Sequence, residues 1–290
     1  MWKSHRPAIQ LKTPAQIAKM RAAGLLVAET LQALAAAAQP GVTTAELDAL
    51  AEERIRAAGA VPSFKGYHGF PATICTSVDE EIVHGIPVVT KRLREGSVIS
   101  IDCGAIMDGW HADAALTVGV GEISGEMAQL LTVCEDALWQ GLAQARAGLR
   151  LSDISHAVER AVRSRGPYGI VEEYVGHGIG TEMHMPPSIP NYGPPGRGPL
   201  LRVGMTLAVE PMVTAGGRST ELLGDEWTVV TADGPWVLTA RDGGRAGLAA
   251  ARAGPARRAA AGDRGGRAAR HGDGEPAGAV PLPAGAQSDG

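Results

Sequence analysis

The sequence predicts an α+β fold in which two pseudo-symmetric halves enclose a central site. Three observations carry this reading. A helical unit bounded by glycines recurs at the same length, residues 41–59 and 148–166, with Leu47, Leu50 and Ile55 falling opposite Ile154, Ala157 and Val162. Each unit is preceded by a long helical pattern and followed by short β-patterned runs. Two of those runs, "REGSVISID" (94–102) and "RVGMTLAVE" (202–210), are introduced by glycine and end on a carboxylate, Asp102 or Glu210.

The elements follow from local chemistry. Thr13 and Pro14 can cap and start a helix that runs to the Pro40-Gly41 break. Thr43 and Glu46 stand at capping-box spacing, and Gly59 is placed to end the second helix. A third, long helix is expected over about 124–147, ending at Gly148, and a fourth within 148–166. After Asp102, Asp108-Gly109 is a two-residue hairpin signal. That loop pairs Asp102 with Ala115 and makes Asp113 a diagonal neighbour on the same face, ~7–8 Å away at Cα.

Composition bounds the function. The chain has 290 residues, 44% hydrophobic and 20% charged, as in an ordinary globular protein with a sizeable core. Its net charge of -4 gives no footprint for nucleic acid or an anionic membrane, and no apolar run is long enough to span a bilayer. Three scattered cysteines without CxxC spacing favour reduced thiols in a cytoplasm. We divide the chain into an N-terminal extension (1–12), one domain (13–240) and a tail (241–290). The tail is Ala, Gly and Arg-rich; its eight arginines face five acidic residues with no aromatic among them, which predicts disorder rather than RNA binding.

A buried strand that ends on an unpaired charge costs several kcal/mol, roughly, so two such strands in a duplicated unit should converge on something cationic. Asp102 and Asp113 on one buried face repel unless a cation or proton sits between them. Of eight histidines, His5 and His271 lie near the termini, His156 sits in an amphipathic helix, and His68 and His111 adjoin turns. His84 is placed to project from a strand end. His177, in "GHGIGTEMHMPP", becomes the natural nitrogen ligand once three carboxylates need a cation. The glycines around it also look like a phosphate-cradling loop, but the spacing is neither GxGxxG nor a P-loop. An oxygen-rich set with one imidazole suits Mn(II), Fe(II), Co(II) or Zn(II), and the reaction class it implies is metal-assisted hydrolysis.

Four blocks in order, "GYHGFPATICTSVDEEIVHGIP", "ISIDCGAIMDGWHADAALTV", "YVGHGIGTEMHMPP" and "LAVEPMVTAGG", resemble the type I methionine aminopeptidases, whose duplicated "pita-bread" fold has a central antiparallel sheet flanked by helices. The resemblance runs from about Lys12 to Trp227. It implies two divalent metals per chain, held by Asp102, Asp113, His177 and Glu210, with Asp113 bridging. It places His84 near the scissile peptide nitrogen and His184 near its carbonyl oxygen. It lines the methionine pocket with Tyr67, Phe70, Cys75, Met183 and Trp227. The substrates implied are N-terminal Met peptides of nascent chains in the cytoplasm, with the ribosome as a candidate partner and a monomer as the expected state.

One departure stands out. The family pattern has a second metal-bridging glutamate on a strand after the Trp227 region. Here "DEWTVVTADGPWVLTARDGG" passes from one strand straight to "PWVLT", and no glutamate occurs between Glu226 and Glu275. The expectation is one tightly bound metal held by Asp113, His177 and Glu210, impaired turnover, and an exposed sheet edge where a strand is missing. Two rivals remain: a proline-directed aminopeptidase or prolidase of the same fold, and a relative that binds peptides without cleaving them.

Overall fold

The computed structural model of the chain describes residues 8–233, 237–239 and 249–250. Helix α1 (Pro14–Ala37) opens with the expected device: Thr13 accepts from the N–H of Gln16, and the Gln16 side chain returns the bond. Helix α2 (Thr44–Ala57) has the Thr43–Glu46 capping box, and Gly59 follows it at φ +73°, a conformation glycine adopts freely. There follow β1 (Val61–Pro62), a 3-10 turn at Tyr67–Gly69, β2 (Ile74–Val78), β3 (Glu81–Val83), β4 (Val98–Met107) and β5 (Trp110–Gly119). Helices α3 (Gly125–Leu142) and α4 (Leu151–Arg163) start the second half. After them come β6 (Gly169–Ile170), β7 (Gly176–Gly178), β8 (Met185–Ile189), β9 (Thr206–Ala208), β10 (Met212–Thr214), β11 (Thr220–Leu222), β12 (Val229–Thr231), β13 (Val237–Thr239) and β14 (Ala249–Ala250).

Two expectations need correction. Helix α3 leaves its axis after Leu142, well short of 147: the following segment turns, and the Gly148 N–H is taken by the Leu201 carbonyl. That tertiary bond overrides a locally helical pattern. Nor do the two key strands end on their carboxylates. β4 starts at Val98 and carries Asp102 in its middle, because β5 supplies partners all the way to Met107. β9 stops at Ala208, two residues before Glu210.

The hairpin register is as read from the sequence. Asp108 and Gly109 take positive φ (50° and 77°), Asp102 pairs with Ala115, and Asp113 pairs with Gly104. On its other edge β4 pairs first with β2 and then with β1. Helices α1 and α2 pack their apolar faces, including Leu31, Leu34, Leu47 and Ile55, against Ile99, Ile101 and Ala112 of this sheet. In the second half, Leu130, Val133 and Leu138 of α3 and Ile154 and Val158 of α4 pack against Leu207, Val209 and Val213. The smaller sheets run β14-β9-β7-β8, β13-β10-β6 and β11-β12-β3.

Of residues 241–290, read above as disordered, Ala249–Ala250 pair with β9 at Leu207 and Thr206, and the rest lie outside the described residues. β13 lies beside β10, Val213 pairing with Leu238. All three cysteines are free thiols and buried.

Candidate metal centre

Each half delivers a pair of polar side chains, both from within a ladder in the first half and from a ladder and the segment just beyond it in the second. In the first, Asp102 and Asp113 share a face of β4–β5. In the second, His177 pairs with Ala208 across β7–β9, so Glu210, two residues further on, is its diagonal neighbour. Three of the four side chains are deeply buried: Asp113 is 3%, His177 6% and Glu210 1% exposed. Burial of this much charge is sustained only if the groups answer one another.

They do so through His177. Its Nδ1–H donates to the Gly178 carbonyl at 2.9 Å. That bond assigns the tautomer and turns Nε2 toward the carboxylates, 3.0 Å from Glu210 Oε1 and 3.5 Å from Asp113 Oδ2. Burial alone lowers the imidazole pKa; the charges of Glu210 and Asp113 beside Nε2 outweigh it and raise the pKa to about 10. The carboxylates thus create a field that favours positive charge at this point. A backbone carbonyl holding Nδ1 while Nε2 faces carboxylates is the arrangement of a metal-ligating histidine. As the side chains stand, no group of three or more His, Cys, Asp or Glu among the described residues encloses an ion, so the set consists of pairwise approaches.

A cavity of about 270 Å³ opens onto Asp102 and Asp113. All five residues expected in a pocket line it, namely Tyr67, Phe70, Cys75, Met183 and Trp227, together with His84 and His184. Cys75 pairs with Asp102 across β2–β4, which explains why a thiol stands beside a carboxylate there. Phe70 meets Trp227 edge-on at 5.1 Å, and both pack with Met183. Two further residues line it: Phe64, which sequence reasoning missed, and His68, which it left undecided beside a turn. Phe64 is admitted by Gly104: a Cβ there would stand 2.7 Å from its ring. His68 faces in because the 3-10 turn puts it at φ 49°. The tertiary contact with Gly104 left no local signal, but a histidine next to Tyr67 could have raised the question.

The two outer histidines are held differently. His184 Nδ1 and the Tyr67 hydroxyl share a hydrogen bond of 2.9 Å, which holds the ring and leaves Nε2 turned away from Tyr67. Burial, aided by the Glu182 charge, raises the Tyr67 pKa, so the phenol stays protonated. The His184 ring is 4.3 Å from that of His177. His84 directly follows β3 at φ 61°, with its ring edge-on to Tyr174 at 5.6 Å and to Trp227 at 6.3 Å. His111, undecided from sequence, shares a hydrogen bond with Ser63 Oγ at 3.2 Å, and burial lowers its pKa against the pull of Asp113. Glu226 is exposed on the loop before β12; among the described residues, Asp102 and Asp113 are the only carboxylates on the cavity wall.

Residues 18–238 match metallopeptidase family M24, and the chain belongs to that family. Within it, the chain is similar to methionine aminopeptidases. It is 54% identical over 226 residues to that of Clostridium acetobutylicum, covering 78% of this chain and 90% of that protein. It is 51% identical to methionine aminopeptidase 1 of Bacillus subtilis, over 77% of this chain and 89% of the other. The solved methionine aminopeptidase of Thermotoga maritima superposes with a TM-score of 0.79 at 40% identity, covering 81% of this chain and 94% of that one. The fold is the duplicated α+β pita-bread fold of these proteins. A Bacillus anthracis Xaa-Pro dipeptidase shares that fold at 22% identity and a TM-score of 0.63, over 80% of this chain and 57% of the other.

Proposed function

We propose that the chain is a metal-dependent aminopeptidase that removes N-terminal methionine from newly made proteins, with one tightly held divalent ion. The observation that carries this is the buried His177, its tautomer fixed by Gly178 and its Nε2 facing Glu210 and Asp113 beside an apolar cavity. Asp113, His177 and Glu210 would hold the ion and Asp102 would stand beside it. Mn(II), Fe(II), Co(II) and Zn(II) all match one imidazole among carboxylates. When bound, such an ion lowers the pKa of water and polarises a carbonyl.

The remaining chemistry belongs to side chains. His184, held at Nδ1 by the Tyr67 hydroxyl, is suited to offer Nε2–H to the carbonyl oxygen as negative charge builds on it. His84 is suited to meet the peptide nitrogen that departs as an amine. Met183, Cys75, Phe70 and Trp227 offer the soft, polarizable and aromatic walls that a thioether prefers. A second ion would have only Asp102 and Asp113 from the chain, since no glutamate follows Glu226 before Glu275. Its binding should be weak and turnover impaired. Among the described residues no helix is long and apolar enough to cross a membrane. Action in the cytoplasm as a monomer, with the ribosome as a candidate partner, completes this reading.

The test compares peptides beginning Met-Ala with peptides beginning Xaa-Pro, under chelation and then Mn(II) or Co(II) titration. Cleavage of the Met peptide alone, abolished by chelator and restored with about one equivalent of metal, is expected. Preferred cleavage of Xaa-Pro would make the chain proline-directed. Binding of Met peptides without cleavage at any metal concentration would make it a peptide-binding relative. Two tight sites with rates normal for such enzymes would overturn the single-ion reading.

A further inference from the structure

We propose that Asn191 and Cys134 are positioning residues that aim Glu210 at the ion; this rests on the metal reading above. Between the end of β9 at Ala208 and the start of β10 at Met212 the chain belongs to neither ladder. Pro211 has no N–H to offer, so its segment needs holding from elsewhere. Two buried side chains supply it. The side-chain amide of Asn191, itself 0% exposed, donates to the Glu210 carbonyl at 2.7 Å. Cys134 on α3 donates its thiol hydrogen to the next carbonyl, that of Pro211, at 3.4 Å.

These carbonyls belong to the two peptide planes that flank Pro211, and the proline ring fixes the φ between them. Asn191 thus pins the plane on the C-terminal side of the Glu210 Cα, and Cys134 pins the next one, so the backbone that carries Glu210 is held against rotation from that side. Glu210 leaves toward His177, reaching Nε2 at 3.0 Å. The pins come from separate elements, the loop after β8 and the middle of α3, so the ligand's placement is tied to the core of the second half. An amide donor is stronger than a thiol, so Asn191 carries the larger share. Neither residue lines the cavity, so substituting either leaves the pocket wall in place.

The experiment is a Co(II) titration by calorimetry on the full chain, comparing wild type with N191A, C134A, C134S and E210Q. Thermal unfolding of each metal-free protein reports folding separately. N191A should weaken Co(II) binding ~10-fold or more, in line with other residues that orient a ligand, and lower kcat while leaving KM for a Met peptide unchanged. C134A should weaken it ~3-fold, and C134S should recover wild-type binding, because a hydroxyl donates to the same carbonyl. If N191A does not fold, the contrast between C134A and C134S decides alone. Folded N191A and C134A that bind Co(II) like wild type, beside a weakened E210Q, would overturn the proposal and leave the metal reading standing. E210Q binding as tightly as wild type would bring down both.

Discussion

The two halves of the molecule hold their polar side chains by different means. In the first, Asp102 and Asp113 stand on two ten-residue strands whose pairing runs unbroken from Val98 to Met107 and back from Trp110 to Gly119. In the second, His177 sits in a three-residue strand with an irregular register to β8, and Glu210 lies outside any strand. What the ladder does in the first half is done in the second by close backbone approach and by side chains. A Cβ on Gly176 would meet the Ala208 oxygen at 2.3 Å, and one on Gly178 would meet the Pro186 oxygen at 2.3 Å. A duplicated unit therefore keeps its topology while exchanging continuous pairing for individual contacts.

The largest effect should come from testing that exchange directly. Gly178→Ala drives a methyl to 2.3 Å from the Pro186 carbonyl oxygen, backbone that cannot step aside, whereas Gly104→Ala in the first half meets the Phe64 ring at 2.7 Å and the Ser63 Cβ at 2.9 Å, a milder overlap with side chains. Denaturant unfolding should show a loss of ~3 kcal/mol or more for Gly178→Ala and ~1–2 kcal/mol for Gly104→Ala. Activity should vanish in the former and survive in the latter with a raised KM. Equal losses would mean that both halves are held alike.

A smaller effect is expected where the first half departs from its own rule. His84 stands outside the ladders at positive φ, and its neighbour Gly85 is clamped: the Thr76 N–H donates to the Gly85 carbonyl, and the Gly85 N–H donates to Ser77 Oγ at 3.3 Å. Ser77→Ala leaves a buried N–H without that acceptor, at a cost of ~1–2 kcal/mol. Peptide turnover should fall while the metal titration stays at the wild-type value. A parallel drop in metal affinity would show that the clamp also supports the ion site.

A third effect, similar in size and opposite in sign, concerns a residue near the start of the chain. Lys12 is 6% exposed, its backbone N–H bonded to Gly204 and its Nζ donating to the Gln10 carbonyl, close to Gly180. Burial lowers its pKa from 10.5 to about 8. The unfolded chain therefore binds more protons than the folded one between about pH 8 and 10.5, and stability rises with pH across that window. Lys12→Met should stabilise the protein at pH 7 by on the order of 2 kcal/mol, with the gain fading toward pH 10.5. A gain constant with pH would assign it to packing instead of charge.

The same contrast explains what could be read from the chain. The Asp108-Gly109 turn dictated the hairpin register, so the relation of Asp102 to Asp113 followed from local chemistry. Thr13-Pro14 and the Thr43–Glu46 capping box likewise marked both helix starts. Strand ends were misplaced because β4 is prolonged by its partner, and the end of α3 because Leu201 claims the Gly148 N–H. Phe64, Asn191 and Cys134 gave no signal: each acts on residues 19 or more positions away in sequence, through contacts that local pattern does not encode. The expected pocket residues were legible only through the family resemblance.

The sheet β11-β12-β3 has a consequence of its own. It carries Trp227 just before β12 and His84 just after β3, with Val229 paired to Val83 between them. Neither the Asp102–Asp113 ladder nor the His177–Ala208 ladder includes any of its strands. Trp227 and His84, both on the cavity wall, thus ride on one small sheet and can shift together without moving either of those ladders.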